Sequence, residues 1–220
     1  MRNRWILSGI LLGLLSATAV ASEKAGDWRG HLELAPGVSL VLGIEIIAEG
    51  DGYNVVLDSP NQGMVDHQVE DVKFDGHALT FNAPELNASF AGTFDHNTLT
   101  GKFTQGRAFD ITLGKLTKDS AAMLVNESLW FGDLQIAPQS TLPLVLGIGV
   151  TNEGYHATLD SPQQQSFGIP LTDFRLSDKE ISFNSPMIGA SYRGEFKNGE
   201  WVGTFVQGAA MPLTLKKSQG

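Results

Sequence analysis

Trp28-Arg29-Gly30-His31-Leu32 returns 102 residues later as Trp130-Phe131-Gly132-Asp133-Leu134. Two further stretches return at the same offset. Leu57-Asp58-Ser59-Pro60 becomes Leu159-Asp160-Ser161-Pro162, and Gly101-Lys102-Phe103-Thr104-Gln105-Gly106 becomes Gly203-Thr204-Phe205-Val206-Gln207-Gly208. Residues 28–106 and 130–208 are therefore one unit written twice, and a repeat of this kind decides the architecture before any local reading. It also works as an internal comparison: what both copies keep, the shared structure needs.

Within each copy the apolar residues recur every second position. Trp28, Gly30, Leu32 and Leu34 share one face, and Arg29, His31 and Glu33 the other. Tyr53, Val55 and Leu57 alternate with Asn54, Val56 and Asp58; Ala88, Phe90, Gly92 and Phe94 alternate with Ser89, Ala91 and Thr93. The second copy repeats this with Ala190, Tyr192, Gly194 and Phe196, then Trp201, Gly203 and Phe205. Such alternation marks half-buried antiparallel strands. Glu49-Gly50-Asp51-Gly52, Asp75-Gly76, Asp95-His96-Asn97 and Lys197-Asn198-Gly199 punctuate them as tight turns. Eight or nine short strands per copy predict an all-β fold of two tandem antiparallel β-barrel or β-roll units of about 90 residues each. Inward glycines beside aromatics (Gly30, Gly92, Gly101 and Gly132, Gly194, Gly203) suit a small, strongly curved barrel.

Two strands break the alternation. Residues 40–47 and 142–150 are apolar on both faces, apart from Glu45. A strand apolar on both sides is buried on both sides, either under a second layer or at the contact between the copies, and the contact is the preferred reading. Between the copies, Asp119-Ser120-Ala121-Ala122-Met123-Leu124-Val125-Asn126-Glu127 reads as one short helix with Asp or Ser as its N-cap, serving as a barrel plug or a hinge. The expected organisation is a signal peptide at 1–21, a first β repeat at 22–116, a linker with a short helix at 117–128 and a second repeat at 129–220.

The signal peptide is expected from Arg2 and Arg4, the apolar run Ile6 to Leu15 and the small-x-small Ala19-Val20-Ala21, with the cut between Ala21 and Ser22. The run is too short and glycine-rich to predict a stable membrane span, and no cysteine lies near the cut to carry a lipid anchor. Cleavage leaves 13 basic against 24 acidic residues, a net charge of −11. That surplus argues against nucleic acid and anionic membrane surfaces. The chain has no cysteine, which excludes thiol catalysis, disulfides and thiolate metal sites and reads as a bacterial periplasmic or secreted protein.

The polar residues held by both copies are the candidate binding patch: Asp58, Ser59 and Gln105, with Asp160, Ser161 and Gln207. Aspartate at the start of a turn caps its own backbone, so the Asp-Ser-Pro pairs read as turn chemistry or as a polar patch at a barrel mouth. Parity places Gln105 and Gln207 inward with Phe103 and Phe205, where a buried amide must be bonded to a loop, the Asp-Ser-Pro turn being one choice, or to a ligand. Asn82 and Asn184 read as strand-end caps. No catalytic set is visible. There is no Gly-x-Ser-x-Gly elbow, and His31, His67, His77, His96 and His156 are unmatched across the copies and lack metal-site spacing. No cofactor is implied.

The ordered string W-x-G-x-L, L-D-S-P-x-Q, F-x-x-P, A-S-[FY]-x-G-x-F, G-x-F-x-Q-G and, at 212–215, P-L-T-L resembles a β-rich accessory module. That module stands ahead of the catalytic domain in many secreted bacterial serine hydrolases, both α/β-hydrolase-like and β-lactamase-like. The resemblance covers nearly all of residues 22–220, as two copies. The second copy matches better at Phe167-Gly168-Ile169-Pro170, the first at Gln62-Gly63. In those hydrolases the catalytic residues lie in the other domain, so the resemblance implies an accessory role and assigns no catalytic residue here. The expectation is an exported, non-catalytic binding or accessory protein whose partner is an envelope or secreted protein. Two alternatives are a carrier holding a small apolar ligand in the barrel interior and a hydrolase built from Asp58, Ser59 and Gln105 or their counterparts.

Overall fold

The computed structural model describes residues 23–50 and 52–218, so the expected signal peptide and its cleavage point lie outside the described residues. The first copy consists of β1 (Gly26–Ala35), β2 (Val38–Glu49), β3 (Gly52–Ser59), β4 (Met64–Gln68), β5 (Glu70–Phe74), β6 (Ala78–Ala83), β7 (Ala88–Asp95), β8 (Thr98–Gln105) and β9 (Arg107–Lys115). After a linker carrying the helix α1 (Lys118–Ala122), the second copy repeats the series: β10 (Ser128–Ala137), β11 (Ser140–Thr151), β12 (Gly154–Ser161), β13 (Ser166–Pro170), β14 (Thr172–Leu176), β15 (Glu180–Ser185), β16 (Ala190–Lys197), β17 (Glu200–Gln207) and β18 (Ala209–Lys217). Each copy is one antiparallel sheet of nine strands, ordered β4-β3-β2-β1-β9-β8-β7-β6-β5 and β13-β12-β11-β10-β18-β17-β16-β15-β14. The all-β, two-unit reading is the observed fold.

The two ends of each sheet are joined by the chain itself. Only Val69 separates β4 from β5, and only Leu171 separates β13 from β14. One bent passage of chain thus pairs with β3 in its first half and with β6 in its second, which brings the sheet round into a nearly closed barrel. The bend is made by residues with positive φ at matching places, Asp66 and Asp71 in one copy and Gly168 and Asp173 in the other. The ladder register slips beside each of them, so these are bulges that redirect the strand.

Close curvature explains the inward glycines. Gly92 pairs with Gly101 across β7 and β8, and Gly194 with Gly203 across β16 and β17. A Cβ on Gly101 would run into the Ala91 carbonyl and the Gly92 Cα, and one on Gly203 into the Arg193 carbonyl and the Gly194 Cα. The interiors are filled by side chains. Trp28, Ile44, Leu57, Leu79, Leu99 and Leu113 are fully buried in the first barrel, and Leu146, Leu159, Ile181, Phe205 and Leu215 are equally buried in the second.

The N-cap of the helix lies two residues before Asp119, the first cap the sequence suggests. It is Thr117, whose hydroxyl accepts the Ser120 N–H at 3.2 Å, rather than Asp119 or Ser120. Threonine is among the residues that cap a free helix N–H, and the extended backbone of Thr117 is the conformation an N-cap requires. Among the described residues no helix is long and apolar enough to cross a membrane.

The doubly apolar strands meet at the contact between copies. Val41, on the outer face of β2, is fully buried, and a Cβ on Gly149 of β11 would touch its side chain. Val41 has Pro143 as its counterpart, and Gly149 has Ile47. The barrels therefore join through unlike surfaces, the start of β2 against the end of β11, as in a head-to-tail contact.

Candidate functional site

The six repeated polar residues hold three separate places per barrel, and among the described residues no hydrogen bond joins the aspartate or serine to the glutamine. Asp58 Oδ1 accepts the N–H of the bulge residue Asp66 at 2.7 Å, and Asp160 Oδ1 accepts that of Gly168 at 2.7 Å. A bulge frees one backbone N–H from the ladder, and the aspartate satisfies it. Ser59 Oγ donates to Gln62 Oε1 and Ser161 Oγ to Gln164 Oε1, both at 2.9 Å, which ties down the 3-10 turns 60–62 and 162–164. The second bulge is held likewise: Asn82 Nδ2 donates to Asp71 Oδ2 and Asn184 Nδ2 to Asp173 Oδ2, both at 2.9 Å.

Gln105 and Gln207 are exposed, which corrects the expectation of buried amides. They end β8 and β17, where the inward direction leads out over the barrel rim. Gln105 Nε2 donates to the Leu86 carbonyl at 3.0 Å and Gln207 Nε2 to Ile188 at 2.9 Å. The loop they fasten is thus the second 3-10 turn, 84–86 or 186–188, and not the Asp-Ser-Pro turn.

A charged cluster sits where the copies join, and only one copy carries it. Arg29, Gly43 and Asp58 lie opposite one another across β1, β2 and β3. Because Gly43 has no side chain, the Arg29 guanidinium crosses β2 through the space a Cβ would take. Its Nη1 comes within 2.7 Å of Asp58 Oδ2, and its Nη2 within 3.3 Å of Asp27 Oδ1 and 3.6 Å of Glu127 Oε2. Glu127, at the linker's end, also accepts the Val150 N–H of β11 at 2.8 Å, so one carboxylate holds both barrels. Burial pushes the Glu127 carboxyl up, and Arg29 and the Val150 N–H offset part of this. Burial likewise raises Asp27 against the pull of Arg29. In the second copy the same row reads Phe131, Val145, Asp160. Asp160, with no cation beside it among the described residues, is raised by burial and held back by the Gly168 N–H.

Asn61 closes the same junction. Its Oδ1 accepts the Val41 N–H at 2.9 Å, and its Nδ2 donates to the carbonyls of Gly147 at 3.2 Å and His156 at 3.1 Å. His156 Nε2 lies 2.9 Å from the Ser39 carbonyl, edge-on to His31 at 4.7 Å, and His31 faces Glu153 at 3.5 Å. Burial depresses the His156 pKa below its ordinary 6.5, with the neighbouring His31 adding to the effect and the Ser39 carbonyl opposing it.

A histidine with a depressed folded pKa contributes stability above its unfolded value that is lost as pH falls. The raised carboxyls act oppositely and only in the acid range, where stability falls as pH rises through their values. Unfolding free energy should therefore drop as pH falls from neutrality through 6.5. His156→Gln, which keeps a donor for Ser39, should flatten that slope in urea titrations at several pH values. An unchanged slope would remove His156 from the account.

The second barrel's mouth differs from the first. A cavity of about 420 Å³ opens there between Trp130, Tyr155, Phe196 and Trp201, with Ser177 and Asp178 among its lining residues. The Trp201 Nε1 is buried and, among the described residues, has no hydrogen-bond partner. No group of three His, Asp or Glu side chains among the described residues is arranged to hold a metal. Comparison with family models, with curated proteins and with solved structures finds no match to the chain.

Proposed function

We propose that this is an exported, non-catalytic binding protein, in which the first barrel and the junction are scaffold and the second barrel receives the ligand. The observation that carries this reading is the cavity at the second barrel's mouth. Its volume falls in the range of small-ligand pockets, and its aromatic walls carry a few convergent polar groups. The bonding of Asp58, Ser59, Gln105 and their counterparts supports it, because each is engaged in holding a bulge or a turn. The resemblance to accessory modules of secreted hydrolases points the same way, and an envelope or secreted protein fits as the source of the ligand. The filled interiors move the carrier reading from the barrel centre to its mouth.

The test sets binding against turnover. Protein recovered from its own host is expected to show no hydrolysis of ester, peptide or glycan panels above background. Turnover abolished by Ser59→Ala or Ser161→Ala would establish the hydrolase instead.

A further inference from the structure

In the first barrel the corresponding mouth is filled by the chain itself. Lys24 is only 9 % exposed. Its backbone carbonyl accepts the Trp28 Nε1–H at 2.9 Å, and its Nζ donates to the His96 carbonyl at 2.9 Å. The ammonium also lies 5.8 Å from the Phe94 ring centre and 3.6 Å from the Glu23 carboxylate. Lys115 Nζ donates to the Glu23 carbonyl at 2.6 Å and sits 5.9 Å from the Trp28 ring, so the site accommodates a second lysine nearby.

Among the described residues the second copy keeps this receptor and lacks its occupant. Trp28, Phe94 and Lys115 have Trp130, Phe196 and Lys217 as counterparts, and all three line the cavity. In the place of Lys24 stands Asn126, which is too short to cross the mouth and donates instead to the Tyr155 hydroxyl at 2.7 Å. Trp130 Nε1, deprived of the lysine carbonyl, donates to Ser128 Oγ at 2.9 Å. Phe196 is 43 % exposed as a result, and Val125, in the place of Glu23, is 77 % exposed. The lost Glu23 carboxylate has a replacement at the rim in Asp178, where the first copy has Gly76. Trp201 stands where the first copy has Leu99 and enlarges the aromatic wall, which suits a cation on an apolar stem.

We propose that the mouth of the second barrel binds a primary ammonium carried on an alkyl stem, the chemistry that Lys24 supplies to the first. This rests on reading the chain as a binding protein with its ligand in the second barrel. The ammonium can come from a free alkylamine or from a lysine of a partner segment. The chain's net charge of −9 favours the approach of either cation.

The indole N–H resonances of Trp130 and Trp201 report on the cavity, and that of Trp28 serves as the control. Titrants are n-hexylamine, the peptide acetyl-Glu-Lys-Ala-Gly-amide, its norleucine analogue and hexanoate. The expected result is a saturable shift at Trp130 and Trp201 with Kd of about 1 mM or tighter, and none at Trp28. The norleucine peptide should bind at least about threefold more weakly, the loss expected for one cation–π and rim carboxylate contact. Asp178→Asn, an exposed change, should weaken the amines and leave the norleucine peptide unaffected. Asn126→Lys should fill the mouth, abolish amine binding and raise the melting temperature. Binding of the peptide but not hexylamine assigns the ammonium to a protein segment; binding of both admits a free amine. Norleucine or hexanoate binding as well as the amines would overturn the ligand class and leave the binding-protein reading standing. No shift with any titrant would overturn both.

Discussion

Arg29→Met is expected to cost about 3–5 kcal/mol of unfolding free energy, because removing one partner of a buried charge set strands the others. The guanidinium is 5 % exposed and is the cation facing Asp58, at 4 %, Glu127, at 8 %, and Asp27. Without it, three carboxyls share a pocket between two barrels. They must either bind protons, which at neutral pH costs free energy, or admit water and separate the barrels. The loss should shrink in acid, since the stranded carboxyls can then be neutral. Arg29→Lys should fall between the wild type and Arg29→Met, because a lysine keeps the charge but cannot fork towards three oxygens. Adding Asp58→Asn and Glu127→Gln to Arg29→Met should recover at least half of the loss, since both amides still accept the backbone N–H groups that the acids accept. Urea unfolding of the set at pH 7 and pH 4 measures this. A loss below about 1 kcal/mol for Arg29→Met would mean that the cluster is solvated and that the surface-pair estimate applies.

The second copy shows that the fold itself does not require this cluster. Phe131 and Val145 stand where Arg29 and Gly43 do, and that barrel forms the same strand order. Arginine and glycine change together because the guanidinium needs the space over Gly43. Asp58 and Asp160 are present in both barrels because holding the bulge N–H is common to both. In the first barrel the junction gives that carboxylate a second partner, Arg29.

Strand alternation, the 102-residue offset and the turn residues made the barrels legible, because these patterns are local and written twice. The doubly apolar strands marked the junction for the same reason. The closing bend was harder to see. It turns on positive φ at Asp66 and Asp71, and aspartate does not announce that conformation; only Gly168 in the other copy hints at it. The burial of Gln105 failed because parity gives direction and not depth, and a strand's last residue points past the core. Arg29, Asn61 and Glu127 are not legible from local pattern because their partners lie 23 to 98 residues away, in the other unit or across the linker. A usable signal existed in the differences between copies at outward positions: Arg29 against Phe131, Gly43 against Val145, Asn61 against Gln163. What both copies keep is scaffold, and Asp58, Ser59 and Gln105 belong to it.

Asn61 and Gln163 allow the junction to be tested within one molecule. They occupy the same place in the two 3-10 turns, but Asn61 is 2 % exposed and bonded across the junction, while Gln163 is exposed. Asn61→Leu is expected to cost about 3–5 kcal/mol, since it leaves the Val41 N–H and two carbonyls short of a partner at about 1–3 kcal/mol each, less what ladder bonds and relaxation recover. Gln163→Leu should stay within about 0.5 kcal/mol, as surface changes do. The form of the transition carries more than its midpoint. Two barrels that share Asn61, Arg29 and Glu127 should unfold together, and two that have lost Asn61 should unfold in separate steps, each with the smaller denaturant slope of a unit half the size. Gly147→Ala approaches the same contact from the other side, because its Cβ would press on the Asn61 backbone, and it should split the transition in the same way. If both variants kept one steep transition, cooperativity would have to come from the linker, with the outer face of β2 a passive contact. If they split it while Gln163→Leu does not, the junction between unlike surfaces is what makes the two copies one folding unit.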